Sequence, residues 1–196
     1  MGSPKPLLRF DGRTCVSLVL ESCLNSAGAE SILVLGADAE AVRATLDPDP
    51  GSALVVVVND RHEQGQTSSL KAGLEAVSPA SGGFLIMPVD LPLVTAADLD
   101  AVIHRAEARP RGRTIFIAAH EGGRGHPALF LGGHREAVLA LPDGEPLREY
   151  IRLREGEVDI VPVENPGVAM SMNTPDEYRR ALTVWRARGG HGAGAS

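Results

Sequence analysis

Residues 83–94 read Gly83-Phe-Leu-Ile-Met-Pro-Val89-Asp90-Leu-Pro-Leu-Val94, an unbroken apolar run that delivers one Asp between two prolines. A short run that is continuous rather than alternating suits a strand covered on both faces. Three other stretches share the pattern: Ser31-Ile-Leu-Val-Leu-Gly36, Ala53-Leu-Val-Val-Val-Val58 and Arg113-Thr-Ile-Phe-Ile-Ala-Ala119. Helical stretches separate them, from Val16 to Asn25, Ala39 to Leu46, Gln66 to Val77 and Ala96 to Ala108. Strands alternating with helices predict a mostly parallel sheet with helices on both faces. Gly125-His-Pro-Ala-Leu-Phe-Leu131, Val158 to Val163 and Val168 to Met172 read as further strands.

Helix starts are marked as well. Thr95 with Asp98, and Thr174 with Pro175 and Glu177, have the spacing of capping boxes, so helices should begin just after each threonine. In the last helix Tyr178, Ala181, Leu182 and Trp185 follow the i, i+3, i+4, i+7 spacing of a buried face.

Composition sets the outer bounds. The 196 residues are 43% hydrophobic and 22% charged, the profile of one folded domain, expected over 1–188. A Gly/Ala-rich tail over 189–196 is expected to be disordered. The 22 Gly and 14 Pro fall singly between apolar runs, which signals many turns rather than low complexity. A net charge of -6 with no basic stripe argues against nucleic acid as a partner. No apolar run approaches the ~20 residues of a membrane span, and no charged-then-apolar leader opens the chain. A cytoplasmic protein is expected. Cys15 and Cys23, eight apart on a helix, would sit about 12 Å apart, beyond disulfide reach, so both should be free thiols. No Cys/His cluster supports a zinc site.

Polar residues that follow buried strands carry the chemistry, because ligands of open α/β sheets bind beyond the carboxyl ends of the strands. After the 53–58 run come Asn59, Asp60 and Glu63-Gln-Gly65-Gln-Thr-Ser-Ser-Leu70, a glycine and three hydroxyls at a helix start. Such a start either binds an anionic or polar ligand through its free N–H groups or simply caps its helix. Asp90 leaves its strand where a carboxylate can hold Mg2+, or where it can cap its own loop. A lysine between Pro4 and Pro6 would, on its own, be read as a surface residue.

Taken together, Gly2-Ser-Pro-Lys5-Pro-Leu-Leu-Arg-Phe-Asp-Gly12, the Glu63 to Leu70 segment, Pro88-Val-Asp90-Leu-Pro-Leu-Val94, Gly125-His126-Pro127 and Ser171-Met-Asn173-Thr-Pro-Asp-Glu-Tyr178 occur in a telling order. The chain resembles the MobA-like NTP transferase family, and within it the molybdenum cofactor cytidylyltransferase branch. The resemblance runs through nearly the whole chain to the last helix. It implies a three-layer Rossmann-like nucleotidyltransferase fold. Met1-Gly2-x-x-Lys5 corresponds to the end of the family's opening motif, so the first strand, the glycine-rich turn and an arginine before Met1 are expected to be absent. Either translation begins upstream of Met1, or the protein is shortened and turns over weakly or not at all.

The resemblance implies roles. Lys5 matches the lysine that neutralises phosphate charge as pyrophosphate leaves, and Asp90 matches the Mg2+-binding aspartate. Asn173 stands where the family places a second metal-side residue, often Asp. Gly65, Ser68 and Ser69 match the segment approaching the base and ribose. Gly125, His126 and Pro127 match the branch motif near the second substrate, where His126 either carries charge toward a phosphate or serves as a structural turn residue. Arg124 beside it is a candidate phosphate ligand. His62, His104, His120, His134 and His191 match nothing and are expected on the surface. The implied reaction is transfer of CMP from CTP onto the terminal phosphate of a molybdopterin-type cofactor, with Mg2+ as cofactor and a molybdoenzyme as recipient. Two rivals stand beside it: another transferase of the superfamily using GTP or a sugar phosphate, and a non-catalytic cofactor-binding or delivery protein.

Overall fold

The computed structural model describes residues 4–46 and 54–190. Met1–Ser3, the expected strand start at Ala53, His191 and the rest of the tail to 196 lie outside the described residues. The chain opens with a 3-10 turn at Lys5–Leu7 and a short hairpin of β1 (Arg9–Phe10) and β2 (Arg13–Thr14), closed by Asp11 and Gly12 at positive φ. Then come α1 (Cys15–Leu24), β3 (Ser31–Leu35), α2 (Ala39–Arg43), β4 (Leu54–Val58), α3 (Gln66–Ala76) and β5 (Gly83–Ile86). The second half runs α4 (Ala96–Glu107), β6 (Ile115–His120), β7 (Gly123–Leu131), α5 (Arg135–Leu139), α6 (Leu147–Arg152), β8 (Val158–Pro162) and α7 (Pro175–Ala187).

Side-chain alternation along β6 produces the three layers. Phe116 and Ala118 pack with Leu99, Val102 and Ala106 of α4. Ile115 and Ile117 point the other way, to Leu74 of α3, Val138 of α5 and Tyr150 of α6. One strand thus feeds two apolar layers, which is why its run is continuous. A third cluster joins Phe10 of the hairpin, Leu18 of α1 and Trp185 of α7. Both expected capping boxes form: Asp98 accepts from the N–H and hydroxyl of Thr95, and Glu177 accepts from the N–H of Thr174 while its own N–H donates to the Thr174 hydroxyl.

The sheet is divided. β3 and β4 pair in parallel, while β5-β7-β6-β8 form a second sheet in which β7 runs antiparallel to both neighbours and β6 pairs with β8 in parallel. Among the described residues no ladder joins β3 to β5. Their starts are tied instead by the Glu30 carboxylate, which accepts from the Ser78 N–H at 3.0 Å and the Ser81 hydroxyl at 3.1 Å. No described helix is long and apolar enough to cross a membrane.

Two expectations fail. Val168 to Met172 is not a strand: Pro166–Ala169 form a 3-10 turn, entered at Asn165, whose side chain accepts from the Gly167 N–H. The turn lays the Val168 carbonyl against Gly125 of β7, so closely that a side chain at 125 would collide with it. His134 is not a surface residue but buried, with ring nitrogens 2.8 Å from the Tyr150 hydroxyl and 2.8 Å from that of Thr114. Those partners satisfy the polar atoms that burial would otherwise strand. His62 and His120 are half-buried against backbone carbonyls, and His104 is exposed.

Candidate functional site

Lys5, Asp90 and Asn173 come from three distant parts of the chain and meet at one atom. The Lys5 Nζ donates to Asp90 Oδ2 at 2.9 Å and to Asn173 Oδ1 at 2.6 Å. Each arm is anchored by apolar neighbours. Leu7 packs with Leu35 and Val89, fixing the Lys5 turn. Buried Leu91, Leu93 and Val94 fasten the loop that carries Asp90. Asn173 immediately precedes the capping box of α7, and its N–H donates to Glu177 Oε2 at 2.7 Å. Its side-chain Nδ2 donates to the Ser171 hydroxyl at 3.0 Å, which turns Oδ1 toward Lys5. The backbone N–H groups of Asn173 and Thr174 hold the Glu177 carboxyl below the usual carboxylate range.

Beneath this cluster lies Cys15, whose Sγ donates to the Val89 carbonyl at 2.8 Å. Burial, reinforced by the Asp90 charge and opposed by Lys5, pushes the thiol up to about 12. It is a protonated donor that steadies the backbone one residue before Asp90. Both cysteines are free, as expected.

A second group gathers at the start of α3. The Asn59 Nδ2 donates to the Ser68 hydroxyl at 2.9 Å and to the Ser69 hydroxyl at 3.0 Å. Ser68 is fully buried and its hydroxyl lies 2.8 Å from the Gly65 carbonyl, so it shapes the segment from beneath, while half-buried Ser69 and exposed Gly65 lie nearer solvent. Gly65 has φ 115 and ψ 175, a conformation that favours glycine.

The third group is on β7. His126 is half-buried with its Nδ1 3.4 Å from the Ile86 carbonyl, and Pro127 is fully buried after a cis peptide. Burial lowers the His126 pKa, against smaller opposing effects of that carbonyl and of Asp90, which favours the neutral ring. Arg124 pairs with Glu155 through both its terminal nitrogens.

The sequence marks Asn59 without giving it a role, and nothing in it marks Arg61, Lys71 or Asp143. The only signal for Asn59 was its position directly after a buried strand. The other three are charged residues of ordinary local context, brought into ion-pair contact only by the tertiary fold.

Asp90 and Asn173 suit a hard cation. Both offer oxygen, one charged and one neutral, and both already converge on a single cationic atom, which is the donor chemistry of Mg2+ or Mn2+ beside phosphates. Among the described residues no group of three or more His, Cys, Asp or Glu could hold a metal unaided. A metal here would therefore depend on further oxygens from a bound substrate.

The model of the MobA-like NTP transferase domain matches residues 1–159. The nicotine blue oxidoreductase of Paenarthrobacter nicotinovorans is 31% identical over 189 residues, 91% of this chain and 88% of that protein. The crystal structure of Rv0371c from Mycobacterium tuberculosis H37Rv aligns with a TM-score of 0.79 at 29% identity, covering 93% of this chain and 90% of that one. A complex of Rv0371c with manganese aligns with a TM-score of 0.77 at 29% identity, covering 93% of each chain.

Proposed function

The chain belongs to the MobA-like NTP transferase domain family, and from that premise we propose that residues 1–188 transfer CMP from CTP to the terminal phosphate of a molybdopterin-type cofactor. The observation that carries this reading is the convergence of Lys5, Asp90 and Asn173 on one point. A phosphate oxygen of the acceptor attacks the α-phosphorus of CTP in line, the bond from that phosphorus to the bridging oxygen breaks, and pyrophosphate leaves with the electron pair. Such transfer depends on positioning and charge stabilisation more than on a covalent nucleophile.

Lys5 supplies positive charge to the departing pyrophosphate and exchanges its hydrogen bonds with Asp90 and Asn173 for phosphate oxygens. Asp90 and Asn173 would hold Mg2+, which supplies charge neutralisation to the triphosphate when bound. Gly65, Ser68 and Ser69 form the segment beside base and ribose. Gly125, neutral His126 and Pro127 form the wall beside the acceptor. The reaction is placed in the cytoplasm, where nucleoside triphosphates are abundant, and its product passes to a molybdoenzyme.

The test is pyrophosphate release from CTP, and from GTP for comparison, with molybdopterin cofactor as acceptor and Mg2+ or Mn2+ present. Release that needs both CTP and the acceptor, and that falls steeply in Lys5→Met, is expected. Acceptor binding without release from any nucleotide would overturn transfer in favour of a delivery role. A second reading rests on the relative named for oxidoreduction of nicotine blue. Conversion of nicotine blue by a supplied reductant only in the presence of this protein, with no pyrophosphate released, would favour it.

A further inference from the structure

A turn far from the three predicted motif groups is fastened onto one of them. Between α5 and α6 the chain reads Leu141-Pro-Asp143-Gly144-Glu145-Pro146, and it lies against the start of α3. The Asp143 carboxylate accepts from Lys71 Nζ at 2.6 Å and from Arg61 Nη1 at 3.3 Å. Lys71 also donates to the Leu141 carbonyl at 2.8 Å. The buried Thr67 hydroxyl donates to the Glu145 carbonyl. Gly65 completes the seam, since a side chain there would lie 3.3 Å from the Asp143 carbonyl oxygen and 3.7 Å from Gly144.

These ties bracket the segment from Arg61 to Lys71 at both ends and in the middle. Asn59 and Ser68 hold the same segment from inside the fold. Asp143 and Lys71 are each only 15% exposed, so their pair is far better shielded than the surface ion pairs of the molecule. Lys71 sits one turn into α3, where its positive charge gains nothing from the helix dipole, and its pairing with Asp143 offsets that position.

We propose that Asp143 is a positioning residue for nucleotide recognition: the turn it anchors acts as a strap that fixes the shape of Gly65–Ser69. The inference rests on the nucleotide reading given above for that segment. Asp143 itself touches no substrate. Its action is through Arg61, Lys71 and the backbone at Gly65.

Two readouts test it on the full chain, with Asp143→Asn and Thr67→Val as variants should Asp143→Ala fold poorly. Amide hydrogen exchange without ligand is expected to speed up at least tenfold over residues 65–69 in each variant, with β6 and β7 unchanged. Unchanged exchange over 65–69, or an equal rise throughout the chain, would overturn the strap. In the transfer assay, KM for CTP is expected to rise about tenfold and KM for the acceptor to stay put. A fall in kcat at unchanged nucleotide KM would overturn the positioning role. Absence of any nucleotide turnover in the unaltered protein would overturn the nucleotide reading instead, and exchange over 65–69 would still decide the strap.

Discussion

The Lys5 ammonium and the Asn173 side-chain oxygen lie 168 positions apart in sequence and 2.6 Å apart in space. Asp90 closes the same cluster from a third segment. With one carboxylate and one neutral amide oxygen, this site offers a cation less charge than a pair of carboxylates would. Asn173→Asp adds that missing charge and is expected to tighten Mn2+ binding about tenfold in the presence of nucleotide. Titration calorimetry with Mn2+ and CTP measures it, and an unchanged or weaker affinity contradicts the assignment of Asn173 to the metal side.

Removing Lys5 takes charge stabilisation away from the leaving pyrophosphate. Lys5→Met is expected to lower turnover on the order of 10²–10³-fold, the scale of losing one preorganised electrostatic partner in a transition state. Steady-state pyrophosphate release reads the effect. A loss confined to a factor of two would place Lys5 outside the chemistry.

The thiols should be unreactive in the folded protein. Burial pushes Cys15 up to about 12 and Cys23 up to about 11, so almost no thiolate exists at pH 8. A disulfide reagent is expected to label neither cysteine within minutes under native conditions and both after unfolding in urea. Rapid native labelling of Cys15 would mean that the backbone before Asp90 opens readily.

Stability should fall on mild acidification. Burial is the leading cause that lowers the pKa of both His126 and His134. The unfolded chain takes up these protons at about pH 6.5, while the folded protein resists them until lower pH. The stability is therefore complete above that value and declines as pH drops through it toward the folded pKa values. Urea midpoints measured from pH 7.5 to 5 are expected to decrease over this window. A flat profile would show that both rings accept protons in place.

Gly125 has no room for a methyl group, because the Val168 carbonyl occupies that space. Gly125→Ala is expected to cost about 1–3 kcal/mol as the turn at Pro166–Ala169 is displaced. Urea denaturation measures the loss, and an unchanged midpoint would mean that the turn moves freely.

Much of the architecture was legible because its signals are local. Continuous apolar runs marked β3, β4, β5 and β6, and Thr95 and Thr174 announced α4 and α7 through side chains that bond within one helical turn. Lys5, Asp90 and Asn173 were legible only as members of ordered motifs, since nothing near Lys5 in sequence distinguishes it from a surface lysine. Val168 to Met172 misled because an apolar run does not reveal that a glycine on a neighbouring strand will claim its carbonyl. His134 misled because a histidine between glycine and arginine carries no sign of the tyrosine and threonine that satisfy it.

The sequence by itself determined the α/β alternation, the helix starts and the kinds of residue placed after each buried strand, all of which depend on period and on bonds between near neighbours. Tertiary structure alone decided that the sheet is divided between β3 and β5, that Lys5 meets Asp90 and Asn173, and that Asp143 reaches across to Lys71. Those outcomes depend on where distant backbones come to rest. A carboxylate finds its partner across 72 positions only after the apolar layers beneath both have packed.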